Sequence, residues 1–160
     1  MKPLGIILII LVLAAVVGVG YLYLSANLDI TFKECIATDG ISQIDVFNTL
    51  KSKVDSSAFV GTRFTNTGLE TADHYQFLTY TIHLDNHAFL RAEVIEIRIS
   101  PMQGDVLQIG AETVQDLPSG QSMDLSAVIL TDRAMHSVRE ATVSYYFWGI
   151  PFTTKLTLGK

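Results

Sequence analysis

The stretch FLTYTIHLDNH, Phe77 to His87, sets His83, Asp85 and His87 at alternate positions. Two imidazoles and a carboxylate are zinc-ligand types, and zinc takes such ligands at about 2.0–2.2 Å. On an extended strand, alternate side chains share one face at a spacing of about 7 Å. A structural site also needs a fourth ligand and outer hydrogen-bond partners. His74, His136 and Cys35 are available, and no spacing selects one of them. A metal-dependent hydrolase would rest on His83, Asp85 and His87 alone. The flanking pattern argues for a plainer reading. Leu78, Tyr80, Ile82 and Leu84 form one apolar face, which puts His83 and Asp85 on the opposite, wet face. Asp85-Asn86 is a turn pair that ends the strand and directs His87 elsewhere.

The second group is aromatic. Tyr145, Tyr146, Phe147 and Trp148 run together, with Phe152 close behind. On a strand, Tyr145 and Phe147 share one face, and Tyr146 and Trp148 the other. One pair belongs to a core. The other pair, Tyr146 and Trp148, would be a platform for a partner protein or a sugar ring if it were exposed. A helix or a neighbouring loop laid over it is the expected alternative.

Other chemistries find less support. Glu93 and Glu96 point to opposite faces of a strand, and Arg98 lies on the face of Glu96 as a surface ion-pair partner. There is no Gly-x-Ser-x-Gly elbow, phosphate-binding glycine loop, calcium loop or His-Glu-x-x-His. Cys35 has no local motif that would make it a nucleophile and reads as a half-buried thiol. No cofactor is expected.

These residues need elements to hold them. Leu28 to Ile36 alternates as a first strand, and Thr38-Asp39-Gly40 is a turn. Ile44, Phe47, Leu50 and Val54 recur at helical spacing, which predicts an amphipathic helix over Gln43 to Val54. Ser42 and Asp45 are spaced as a capping box, and Ile41 and Val46 as a hydrophobic staple. From Ala58 onward the period is two. Seven or eight short strands follow one another, with strong turns such as Leu117-Pro118-Ser119-Gly120. The fold class is all-β: an immunoglobulin-like antiparallel β-sandwich with one short amphipathic helix, each sheet having one wet face.

Ahead of this domain, Leu4 to Leu24 carries no charge. About 20 such residues span a bilayer as a helix. Leu24-Ser25-Ala26 is a poor signal-peptidase match, so the expectation is an uncleaved anchor. Residues 1–25 form the anchor and 26–160 the outer domain. Lys2 precedes the span and Asp29 follows it, which places the N-terminus in the cytoplasm. Tyr21 and Tyr23 fall in the outer headgroup zone. Ala14 and Gly18 form a small-xxx-small pair on an otherwise plain lipid-facing helix.

After Ser25 there are ten Lys or Arg and sixteen Asp or Glu, with no basic cluster. Phosphate backbones need a concentrated positive footprint, so nucleic acid is excluded as a partner. The one cysteine forms no intradomain disulfide, which leaves the core to hold the domain together.

The run LTYTIHLDNHAFLRAEVIEIRISPMQGDVLQ, the turn LPSGQ and the ending REATVSYYFWGIPF resemble small single-pass envelope proteins of Gram-positive bacteria. The sandwich is similar, more loosely, to that of LEA14-type desiccation proteins. The resemblance implies a cytoplasmic N-terminus, an outer immunoglobulin-like sandwich and no enzymatic activity. The expected function is a membrane-anchored extracytoplasmic binding or scaffolding module with a protein partner in the envelope. Cell-wall carbohydrate binding is the alternative.

Overall fold

The computed structural model describes residues 2–109 and 115–159; Met1, residues 110–114 and Lys160 lie outside the described residues. A 24-residue helix, α1 (Lys2–Ser25), leads the chain. At about 1.5 Å per residue it is some ~36 Å long. Its segment Gly5–Ser25 is long and apolar enough to cross a membrane.

Nine strands follow among the described residues: β1 (Leu28–Asp39), β2 (Thr62–Arg63), β3 (Tyr75–Asn86), β4 (Ala92–Ile99), β5 (Asp105–Ile109), β6 (Gln115–Leu117), β7 (Ser122–Asp132), β8 (Arg139–Phe147) and β9 (Ile150–Leu158). They form two antiparallel sheets, ordered β1-β3-β7-β5-β2 and β6-β4-β8-β9. The expected alternation of β3 is present. Leu78, Tyr80, Ile82 and Leu84 are buried, while Thr79, Thr81, His83 and Asp85 are only partly so. Those four inner residues meet Ile95, Ile97 and Ile99 of β4 and Val143, Tyr145 and Phe147 of β8 in the main core. Burying a side chain of this size stabilises by about 1.5–3 kcal/mol.

A second helix, α2 (Ile44–Asp55), lies after β1. Its position matches the helical spacing, but its start does not. Ser42 sits in a 3₁₀ turn, Ile41–Gln43, and caps nothing. Gln43 occupies the cap position without a side-chain hydrogen bond. The staple is absent too, since Ile41 and Val46 are both exposed. The 3₁₀ turn instead carries the chain into the helix through Gln43 N–H donating to the Gly40 carbonyl at 3.2 Å.

The stripe of α2 covers one end of the five-stranded sheet. Phe47, Leu50 and Val54 pack on Tyr75, Phe77, Leu107 and Leu130, a second core on the outer face of the five-stranded sheet. Phe47 stacks on Tyr75 with ring centroids 5.7 Å apart. That face is therefore dry near Phe77 and wet near His83, rather than wet throughout. The helix is nowhere near the Tyr146 face.

Buried polar groups tie the two sheets together. Arg139 donates from Nε and Nη2 to both carboxylate oxygens of Asp105, at 2.8 and 2.7 Å. Its Nη1 donates to the carbonyls of His136 and Val138, each at 2.7 Å. Burial works against the Arg139 charge, but the Asp105 hydrogen bond and charge outweigh it and hold the pKa above its ordinary value. Gln108 of β5 reaches across to β4, donating to the Ile97 carbonyl at 2.8 Å and accepting from Ile99 N–H at 2.9 Å. No buried side-chain polar atom among the described residues is left without a partner, as a well-packed interior requires.

Candidate functional site

Antiparallel strands joined by two residues need a turn whose twist matches their own, and the primed turns provide it. The β8–β9 hairpin has such a turn. Phe147 pairs with Ile150, leaving Trp148 and Gly149 at the tip. Their φ angles are +56° and +75°. Gly, Asn or Asp ordinarily fills the first of these positions. A bulky residue there costs about 1–2 kcal/mol. Trp148 returns little of that through burial, because it is 72% exposed.

Tyr146 lies two residues earlier on the outer face of β8 and is also exposed. Tyr145 and Phe147 are the buried pair. Thus Tyr145 and Phe147 are the core pair as expected, Trp148 lies past the strand in the turn, and no helix or loop covers Tyr146 or Trp148. Beside Tyr146, β4 carries a bulge between Glu93 and Glu96. Val94 in that bulge has φ +54°, which a β-branched residue rarely adopts. Its N–H donates to Asp116 Oδ1 at 3.2 Å, and its side chain stays exposed. Val94 and Trp148 are thus two exposed apolar residues on backbone with positive φ.

The C-terminal end of α1 packs against this region. Ala26 is buried in the main core. The Tyr23 ring lies 5.7 Å from that of Phe152, which stacks on Tyr145 at 5.8 Å with the rings 8° apart. Leu28 N–H reaches the Tyr145 hydroxyl at 3.5 Å, and that hydroxyl donates to Asn27 Oδ1 at 3.4 Å. Sandwich and helix are joined by packing as well as by the chain. Between them runs an apolar groove. Val19, Leu22 and Tyr23 form its helix wall. Trp148, Ile150, Phe152 and Leu90 form the opposite wall. Phe89, next to Leu90 in the loop after β3, is 76% exposed.

The histidine group lies on the wet half of β3. His83 Nδ1 is 2.6 Å from Asp124 Oδ1 on β7, and its Nε2 is 3.4 Å from Asp85 Oδ2. Asp124 also accepts from Lys33 Nζ at 2.6 Å. The hydrogen bond to Asp124 raises the His83 pKa, and the Lys33 and His83 hydrogen bonds lower that of Asp124. His87 lies past the strand end and is exposed. Both His83 nitrogens face carboxylates within an ion-pair network, and among the described residues no three His, Cys, Asp or Glu side chains are grouped to hold a metal. Asp85-Asn86 ends the strand as expected. Asn86 is its buried last residue, and its Nδ2 donates to the Leu90 and Leu117 carbonyls, both at 2.8 Å. These bonds fold the Phe89 loop back against the sandwich.

Of the fourth-ligand candidates, His74 pairs with Glu70 and Asp73 on the surface. Cys35 is half-buried near Tyr80 and Arg139, where burial pushes its thiol pKa up. Glu96 and Arg98 pair at 3.2 Å on the outer face of β4.

Two features escaped the sequence reading. Asp105 and Arg139 are 34 residues apart, and nothing local pairs them. Leu90 and Ile150 join Trp148 only through the topology, and Trp-Gly is not one of the pairs that ordinarily mark a two-residue hairpin.

No protein-family model matches the chain, and no curated protein matches it in sequence. Among solved structures, the crystal structure of the yeast GGA1 GAE domain-P21 is similar at 14% identity, with a TM-score of 0.37. The alignment covers 56% of this chain and 93% of that one. A likeness this distant carries no argument about function.

Proposed function

We propose that the chain is a single-pass membrane protein that presents a non-enzymatic, immunoglobulin-like interaction module outside a bacterial cell, as in the Gram-positive envelope proteins it resembles. In this reading α1 spans the membrane with its N-terminus in the cytoplasm. A protein partner binds the face around Tyr146, and the anchor raises the local concentration of the module at the membrane. The immunoglobulin-like assignment is supported by strand order. The series β1-β3-β7-β5 facing β4-β8-β9 follows the ABED and CFG sheets in both chain order and adjacency. Here β2 and β6 are additions at the sheet edges.

The observation that carries the reading is the uncovered Tyr146, with Val94 beside it in the same open cleft. Strained backbone that holds apolar side chains into solvent costs stability, and such strain concentrates at working surfaces. Cross-linking in native membranes tests the proposal. Tyr146→Ala and Val94→Gly should each weaken a specific protein adduct, and an unchanged set of adducts would sink the idea.

One observation favours a second reading. Tyr146 shares an open cleft with Thr142, Ser144, Glu96 and Arg98. An aromatic ring flanked by hydroxyls and an ion pair suits a sugar ring. Titration with cell-wall fragments should then change aromatic emission, and a flat titration would dismiss it.

A further inference from the structure

We infer that the Trp148 hairpin, with Ile150 and Phe89, is a second membrane contact: it seats the α1 end of the sandwich in the interfacial zone of the lipid bilayer. This rests on the proposed membrane span and adds to it a partner for Trp148, which is lipid.

The argument is one of position. The groove opposite Trp148 and Ile150 has Val19, Leu22 and Tyr23 as its other wall. Val19 lies four residues before Tyr23, about 6 Å lower along the helix axis. It belongs to the apolar segment Gly5–Ser25 itself. Whatever medium surrounds that turn of α1 therefore also fills the groove and meets Trp148. If α1 spans a bilayer, that medium is the boundary between acyl chains and headgroups.

The side chains suit it. Trp and Tyr favour that zone because an apolar ring and a polar N–H or O–H can each find their own environment there. Trp148, Tyr23 and Tyr21 would form one aromatic belt, two members from the helix and one from the sandwich. Phe89 and Ile150 add apolar surface on the same end, at 76% and 45% exposure.

The orientation is held in place. Ala26 is buried, and Tyr23 packs on Phe152, so the sandwich does not swing freely about the end of α1. The strained turn acquires a purpose as well. An Asn at position 148 would relieve the backbone but would offer the bilayer no ring. The contact needs no anionic lipid, since the outer domain is acidic overall and lacks the basic cluster that anionic surfaces select.

Trp148 is the only tryptophan in the chain, so its emission reports this position alone. The full chain is reconstituted into phosphatidylcholine vesicles and recovered by flotation. Tryptophan emission is then read with lipids brominated at shallow or deep acyl positions, and with aqueous iodide. The inference expects blue-shifted emission, strong quenching by shallow-brominated lipid, weaker quenching by deep-brominated lipid and protection from iodide. Ready quenching by iodide, with no effect of bromolipid, would overturn it. Protection from both quenchers would also overturn it, because a protein or a second copy would then cover the ring. Failure of the chain to float with the vesicles would strike the membrane span itself, a different result from an aqueous Trp148 on a chain that floats. A Phe89→Trp, Trp148→Phe chain repeats the reading at the neighbouring loop and should show the same order of quenching.

Discussion

The two ends of the sandwich handle apolar surface in opposite ways. At the far end, β1 leads into α2, and the chain covers its own outer sheet face. Phe47, Leu50 and Val54 close over Phe77 and Leu130, and Asp105 and Arg139 satisfy each other in the interior. At the α1 end, Phe89 and Trp148 stand in solvent, and Trp148 accepts an unfavourable backbone angle to do so. The chain buries apolar surface under α2 at one end and leaves it exposed at the other. Exposed aliphatics do occur there, Ile41 in the 3₁₀ turn and Ile44 and Val46 on α2, but they are interspersed with Asp45, Asn48 and Lys51. Scattered residues of that kind are ordinary surface.

The contrast can be broken first at the far end, where the largest effects are expected. Asp105→Ala strands a buried guanidinium and should destabilise the domain by about 3–5 kcal/mol. Phe47→Ala should cost a similar ~3–5 kcal/mol through a cavity beneath α2. Denaturant melts of the full chain in micelles would show both losses, and a loss below about 1 kcal/mol would mean that α2 is not packed as described.

At the α1 end the sign should reverse. Trp148→Asn places a turn-favouring residue at positive φ and should leave stability unchanged or raise it by about 1 kcal/mol. A large destabilisation in the same melts would make Trp148 a core residue and remove the contrast.

The smallest effect concerns pH on the wet half of β3. His83 has its pKa raised above its ordinary 6.5 by Asp124. Its contribution is therefore complete below about that value and fades as pH rises through the raised folded one. Asp124 is lowered below its ordinary 3.8. Its contribution holds above that value and is lost as pH falls through the lowered one. Both groups are exposed, so solvent screens the pair and the gain is slight. An NMR titration should place the His83 midpoint above that of a free histidine, and Asp124→Asn should bring it down. An unmoved midpoint would show that the two side chains do not meet in solution.

Much of this was legible in the residues. Period-two alternation in Leu78 to Leu84 and Ile95 to Ile99 set the inner faces of the main core correctly. Tyr145 and Phe147 were separable from Tyr146 and Trp148 by the same rule. What α2 covers was not legible, because an apolar stripe says that a helix packs and is silent on where. The alternation from Ala58 to Phe64 yields only the short strand Thr62–Arg63, paired with Gln108 and Leu107 of β5. His83, Asp85 and His87 share a period, but the Asp85-Asn86 turn pair ends β3 and leaves His87 beyond it, as the residues indicated. Asn86 closes that strand with bonds to Leu90 and Leu117, residues that no local pattern connects to it.

The central claim is that the α1 end is occupied in the membrane and the far end is not. A photo-reactive benzoylphenylalanine placed at Trp148, and separately at Ile44 on α2, tests this directly in intact membranes. The account expects high-yield lipid adducts from position 148 and almost none from position 44. Equal yields from both positions, or adducts from position 44 alone, would contradict it.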